Sequence, residues 1–386
     1  MNCSLMPNIL FISNGHGEDR IAASVIREIF HCHSREGGNP DSRPTLRQAP
    51  RTVLGLPLVG HGREYEKLKV PLLAQGKDLP SGGFVMTTKE LWTDIRAGWL
   101  GITLKQWWRL WRFRKQVNVV VAVGDTYALW LSLWCPSAKK IFISTAKSSH
   151  VGDHNQFELR KMKQYHCKVF ARDALTADYL SRHGIDAEYV GNPMMDMIPM
   201  TGETFGARPN DIVIGVLPGS RNEAYQNLEL IHRVLADIRK RFHNDSILFV
   251  VAVPESLDKD RCAKILEYAE DVVITNQYAD AVNASRVVIG LAGTANEQAV
   301  GMGKPVVAFP GTGPQTSHYR FRLQRRLLGG GVTLIDQFDP AEIANVVLRL
   351  SVDHRWQEKV KAIGLERMGL PGASQRIAEK IDSLIE

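Results

Sequence analysis

A chain of 386 residues with 44% apolar and 23% charged residues is long enough for two domains that each bury a core. It lacks the compositional extremes of disordered, collagenous or disulfide-scaffold proteins. Its formal charge of +7 is concentrated, because seven basic residues between Lys89 and Lys115 face only Glu90 and Asp94. Five cysteines without a C-x-x-C pair fit a reducing compartment. The N-terminus shows no basic leader, and no run approaches the roughly 20 uninterrupted apolar residues of a membrane span, so a cytoplasmic protein is expected.

The first predicted strand, Ile9–Ser13, runs into SNGHGEDRIAAS (residues 13–24), a glycine-containing turn that opens a helix. Such a turn aims free backbone N–H groups and a positive helix end into the crevice at the strand's carboxyl edge. Gly15, Gly17, Glu18 and Asp19 form this candidate loop for a phosphate or sugar, with His16 as its candidate base. A tight structural turn with two carboxylates favouring the helix end is the plainer alternative. Residues 31–52 are nearly free of large apolar side chains and rich in Gly, Pro and Arg, so they predict an exposed flexible insertion. Their HSREGGNPDSRP stretch resembles the translated product of a short mobile DNA repeat. Strands are then expected at Val53–Leu58 and Phe84–Thr87.

Seven of the eight tryptophans lie between Trp92 and Trp134. At about 100° per helical residue, Leu100, Leu104, Trp107, Trp108 and Trp111 share one face, and Lys105, Arg109 and Arg112 share a neighbouring one. This pattern suits either an interfacial membrane helix or a core helix with a solvated basic edge. It resembles no nucleic-acid-binding module.

Strands follow at Val117–Val123, Lys140–Ser144 and Lys168–Ala171, and the rhythm breaks at 199–210, which is rich in Gly, Pro and Thr. It restarts with Ile212–Leu217, followed by Gly219, Ser220 and Arg221 before a long helix. Backbone donors, a hydroxyl and a guanidinium converging on one point suit a diphosphate. Strands at Ile247–Val253, Val272–Thr275 and Val287–Gly290 lead to a second glycine turn, with Gly293, Thr294 and then Glu297 in the first helical turn. A carboxylate there suits ribose hydroxyls. Strands at Pro305–Phe309 and Val332–Ile335 precede a helical pattern at Pro340–Ser351 and a last helix, Ala373–Ile385. Alternating strands and helices imply two doubly wound α/β domains, 1–198 and 199–386, the last helix counted with the second. The one Asp-x-Asp pair, Asp258 and Asp260, falls in a predicted surface helix, so no metal is expected.

LPGSR at 217–221, GNPMMDMIP at 191–199, AGTANEQAVGMGKPVV at 292–307 and Gly-Asp-Thr at 124–126 resemble lipid-A-disaccharide synthase. SNGHGED at 13–19 and MGLPGASQRIAEKI at 368–381 are similar to the bacterial group called lipid-A-disaccharide synthase-related. The resemblance spans nearly the whole chain except 31–52. It implies a GT-B fold, two Rossmann-like domains facing across a cleft. The implied activity moves a sugar, of the GlcNAc type, from a UDP-sugar to a lipid-linked acceptor. UDP-sugar acts as co-substrate and no resident cofactor is implied.

By motif match Arg221 meets the diphosphate, Asp125 takes the place of an acidic residue implicated in catalysis, and Glu297 or Gln298 meets the nucleotide. The first loop departs from the synthase pattern G-E-x-S-G-D. A lipid acceptor favours the membrane reading of the tryptophan segment, with Trp107, Trp108, Trp111, Arg109 and Arg112 facing the inner side of the cytoplasmic membrane. The alternatives are a UDP-N-acetylglucosamine 2-epimerase-like enzyme and a non-catalytic lipid- or nucleotide-binding relative.

Overall fold

The computed structural model describes residues 8–36, 52–78, 88–221, 223–242 and 247–385. The strand expected at Phe84–Thr87 and residues 37–51 of the expected insertion lie outside the described residues. Twelve strands are seen: β1 Asn8–Ser13, β2 Thr52–Pro57, β3 Val119–Gly124, β4 Lys139–Ser144, β5 Lys168–Phe170, β6 Asp186–Glu188, β7 Ile212–Leu217, β8 Ile247–Ala252, β9 Val272–Thr275, β10 Val287–Gly290, β11 Val306–Ala308 and β12 Val332–Leu334. They form two parallel sheets in the orders β2-β1-β3-β4-β5-β6 and β12-β11-β10-β7-β8-β9. β3 (VVVAVG) and β7 (IVIGVL) are buried at every residue, as expected of central strands covered by helices on both faces. β6 escapes a reading based on apolar runs because it is a three-residue edge strand, Asp-Ala-Glu, that buries no residue fully.

In each sheet the strand order reverses once, between β1 and β3 in the first and between β7 and β10 in the second. Within each sheet the turns after the two strands that flank the reversal therefore open into a crevice of that sheet which no crossover fills. Side chains alternate across the first sheet: Leu10, Ile12, Val120 and Ala122 enter one core, and Ile9, Phe11, Val119 and Val121 enter the other.

Two expectations are corrected. The first helix runs His16–Glu36, so residues 31–36 extend it rather than begin a loop. A lack of apolar residues does not by itself end a helix, and the first strong helix breakers are Gly37 and Gly38. Second, the chain divides into one unit of residues 1–197 with 371–386 and another of residues 198–370, so the C-terminal helix Ala373–Ile385 belongs to the first unit. Its Ile377, Ala378 and Ile381 pack with Ile21, Val25 and Phe11. The Asp196 carboxylate accepts hydrogen bonds from the Gly372 and Ser374 N–H groups, joining two of the motifs that carry the family resemblance.

Candidate functional site

Both turns at the reversal point of the first sheet begin with a left-handed glycine, Gly15 at φ +127° and Gly124 at φ +124°. Glu18 occupies the space these glycines leave open. A Cβ at Gly124 would lie 3.0 Å from Glu18 Cγ, and one at Gly15 would lie 2.9 Å from its Oε2. Asp125 caps the helix Thr126–Ser132, its Oδ1 accepting from the N–H groups of Tyr127 (3.0 Å) and Ala128 (3.2 Å). Its Oδ2 accepts from the Asn14 amide at 2.8 Å, which ties the two turns together.

Burial pushes the Glu18 carboxyl up to about 7. The hydrogen bond from its own backbone N–H opposes that rise, the nearby Asp125 charge adds to it, and Arg172 counters. Asp19 is likewise raised to about 7 by burial, against a 2.6 Å hydrogen bond donated by Ser13. The Ser13 hydroxyl also meets the buried Tyr65 hydroxyl at 2.6 Å.

Thr126, next to Asp125, donates to Glu158. Lys147 Nζ (2.7 Å) and His154 Nδ1 (2.9 Å) meet the same carboxylate. Burial would raise Glu158, but these bonds from His154, Lys147 and Thr126 hold it down at about 2. A permanently charged hub thus anchors the helix that Asp125 caps. His16 is placed differently: its side chain is 67% exposed and its Nε2 lies 3.4 Å from Asp78 Oδ1, while His61 approaches the other Asp78 oxygen at 3.5 Å. Nothing lies within 4 Å of a Cβ built on Gly17, so no packing requires a glycine there.

In the second unit the turns after β7 and β10 lie side by side, joined by the Leu291 N–H donating to Leu217 O at 2.8 Å. Asn227 braces the first, donating to Pro218 O (3.0 Å) and accepting from Thr312 N–H (2.8 Å). Gln324 braces the second, donating to Gly293 O at 3.0 Å and accepting from Asn296 at 2.9 Å. Ser220, Arg221, Gly293 and Thr294 stay exposed on this frame, and Glu297 is half-buried in the first helical turn. Gln298 is 7% exposed and turned into the fold, so Glu297 is the better placed of the two for a ligand.

A family model described as lipid-A-disaccharide synthetase matches residues 162–312. A lipid-A-disaccharide synthase of Syntrophotalea carbinolica is 26% identical over 226 residues, covering 52% of this chain and 56% of the relative. One from Albidiferax ferrireducens is 36% identical over 81 residues, 19% of this chain and 21% of its own. The chain is related to the lipid-A-disaccharide synthases. It spans little more than half the length of the first of these relatives and less of the other.

Solved structures resemble this chain along its whole length. The calicheamicin glycosyltransferase CalG4 aligns with a TM-score of 0.62 at 16% identity, over 98% of each chain. The S. aureus MnaA-UDP co-structure aligns with a TM-score of 0.60 at 13% identity, over 98% of this chain and 97% of that one. UDP-GlcNAc 2-epimerase from Neisseria meningitidis bound to UDP-GlcNAc gives 0.56 at 15%, over 97% and 100%. At these identities the likeness concerns the fold, which is that of GT-B glycosyltransferases and the epimerases.

Gly15, Glu18 and Asp125 thus come together at one reversal point, and Gly219–Arg221 with Gly293, Thr294 and Glu297 at the other. His16 pairs with Asp78 instead. Sequence reasoning missed Asn14, Glu158, Asn227 and Gln324, polar residues whose partners lie on other elements. Only their position just after a strand or on a neighbouring helix could have drawn attention.

The helix Trp99–Phe113 is held inward by Leu110 and by Gln106, which donates to Pro57 O at 2.9 Å. Trp107 also turns inward, donating to the Tyr127 hydroxyl at 2.9 Å and meeting the Trp130 and Trp134 rings. This corrects its expected outward placement: Trp107 sits at the seam between the two helix faces, and the aromatic cluster draws it in. Outside remain Leu100, Leu104, Trp108 (51% exposed) and Trp111 (55%), with Arg112 4.8 Å from the Trp108 ring and Arg114 5.2 Å from that of Trp111. Among the described residues, no helix is long and apolar enough to cross a membrane.

Proposed function

We propose that the chain transfers a sugar of the N-acetylglucosamine type from a UDP-sugar to a lipid-linked acceptor, working at the inner face of the cytoplasmic membrane. The observation that carries this reading is the braced pair of turns after β7 and β10. Its exposed backbone N–H groups, Ser220 and Arg221 are the donors a departing diphosphate requires. Arg221 is exposed beside this turn, where its guanidinium can reach a ligand phosphate. In this reading Glu297, in the first turn of its helix, meets the ribose hydroxyls. The curated relatives are lipid-A-disaccharide synthases, and two of the solved structures of this fold hold UDP or UDP-GlcNAc.

Lipid enters the reading through the helix Trp99–Phe113. Four large apolar side chains exposed beside Lys105, Arg109 and Arg112 suit insertion at the acyl boundary of an anionic leaflet. Trp111 and Arg114 also line an open groove of about 500 Å³ with Leu133, Trp134, Pro136 and Tyr165. The epimerase-like alternative shares the fold but gives this surface no task, and a purely binding relative would turn nothing over.

UDP release from a panel of UDP-sugars, with and without lipid extract, tests the proposal. Lipid-dependent release by the wild type is expected, with Arg221→Ala weakening UDP binding by roughly 10- to 100-fold, the worth of one charge-assisted hydrogen bond. Failure of the purified protein to bind UDP or any UDP-sugar at millimolar concentration would overturn it. Release or interconversion of sugar without lipid would favour the epimerase.

A further inference from the structure

We infer that Glu18 accepts the proton of the acceptor hydroxyl, and that Asp125 is a positioning residue that holds the turn against which Glu18 packs. The inference rests on the transferase reading and names its base. Asp125 stands where the family resemblance places an acidic catalytic residue, yet its oxygens are already engaged. Oδ1 takes two backbone N–H groups and Oδ2 takes the Asn14 amide, so three of its about four acceptor sites already serve the fold. His16 points to Asp78 and is mostly exposed.

Glu18 differs on each count. It is half-buried, seated between the Gly15 and Gly124 turns at the reversal of strand order, and its carboxylate draws a hydrogen bond from its own backbone N–H. It also stands where this chain departs from the synthase loop pattern.

The charged groups around it are Asp125 from the β3 turn, Asp19 on its own helix and Arg172 after β5. Burial and the Asp125 charge lift the carboxyl to about 7, so it is a competent base that is half ionised at neutral pH. In the step itself the acceptor O–H gives its proton to the Glu18 carboxylate and its oxygen bonds to the anomeric carbon. The bond from that carbon to the UDP oxygen breaks, and UDP departs with the electron pair.

Two measurements test this together. The first is a carbon NMR titration of the wild-type protein labelled at the glutamate carboxyl, the Glu18 resonance assigned by its absence from Glu18→Gln. A midpoint near 7, moving down in Asp125→Asn, is expected; a midpoint in the ordinary glutamate range overturns the inference whatever the activity. The second is lipid-dependent UDP release from pH 5 to 9. The wild-type rate should rise through about 7. Glu18→Gln should lose that limb and roughly 100-fold or more in kcat while its UDP affinity holds and its melting temperature does not fall.

Retention of rate by Glu18→Gln overturns the base but leaves the transferase standing. No release by the wild type with any donor removes the transferase reading, and the base with it.

Discussion

Glu18, Asp19 and Glu158 show how one small region keeps carboxyls at opposite ends of their titration range. Glu18 and Asp19 sit at about 7 because burial dominates, whereas Glu158 sits at about 2 because three donors outweigh burial. The consequences for stability have opposite signs. A raised carboxyl binds its proton more tightly in the folded state, so its contribution is fully present below about pH 4 and lost as pH climbs towards 7. Glu18→Gln or Asp19→Asn should therefore stabilise the first unit at pH 8, by on the order of 1–3 kcal/mol, and lose that advantage by pH 4. Urea denaturation at the two pH values measures it.

Glu158 contributes above its unfolded value, and that contribution fades as pH falls from about 4.5 towards 2. Glu158→Gln should destabilise at neutral pH by about 3 kcal/mol, since it removes the partner of a half-buried Lys147 and weakens the bonds to His154 and Thr126. The SNGHGED turn was legible as a site because strand, glycine and helix signals adjoin in sequence. The special position of Glu18 was not, because the residue it packs against is Gly124 on another strand.

The helix Trp99–Phe113 is an element whose periodicity predicted two faces and whose tertiary contacts decided where the seam falls. Leu100, Leu104, Trp108 and Trp111 remain outside, and Trp107 joins Trp130 and Trp134 within. Replacing Trp108 and Trp111 together with serine should cut flotation with anionic vesicles at least tenfold and leave the melting temperature within a few degrees, because neither ring is buried. Trp107→Ala should do the reverse, destabilising the first unit by about 2–4 kcal/mol with little change in flotation of the folded protein. Equal loss of flotation in both variants would remove the outward face from the account. Similar logic explains β6 and Gln298. A short Asp-Ala-Glu edge strand carries no apolar run to betray it, and whether Glu297 or Gln298 faces outward depends on the rotation of a helix docked on its sheet.

Across the whole molecule, the chain crosses into a second unit near residue 198 and returns to the first at residue 371. Truncation after Leu370 removes Ile377, Ala378 and Ile381 from the first core together with the Asp196 bonds to Gly372 and Ser374. It should destabilise the first unit by several kcal/mol and leave the transition of the second unchanged, as limited proteolysis with fragment mass analysis would show.

The sequence by itself determined two doubly wound α/β units, most strand positions and the strand-end turns of the candidate site. Buried parallel strands and their glycine turns are written in contiguous residues. The tertiary structure alone decided which core receives the last helix, which carboxylate is seated between two glycine turns and which tryptophan faces out. Each of these depends on atoms brought together from distant parts of the chain, which no local pattern encodes.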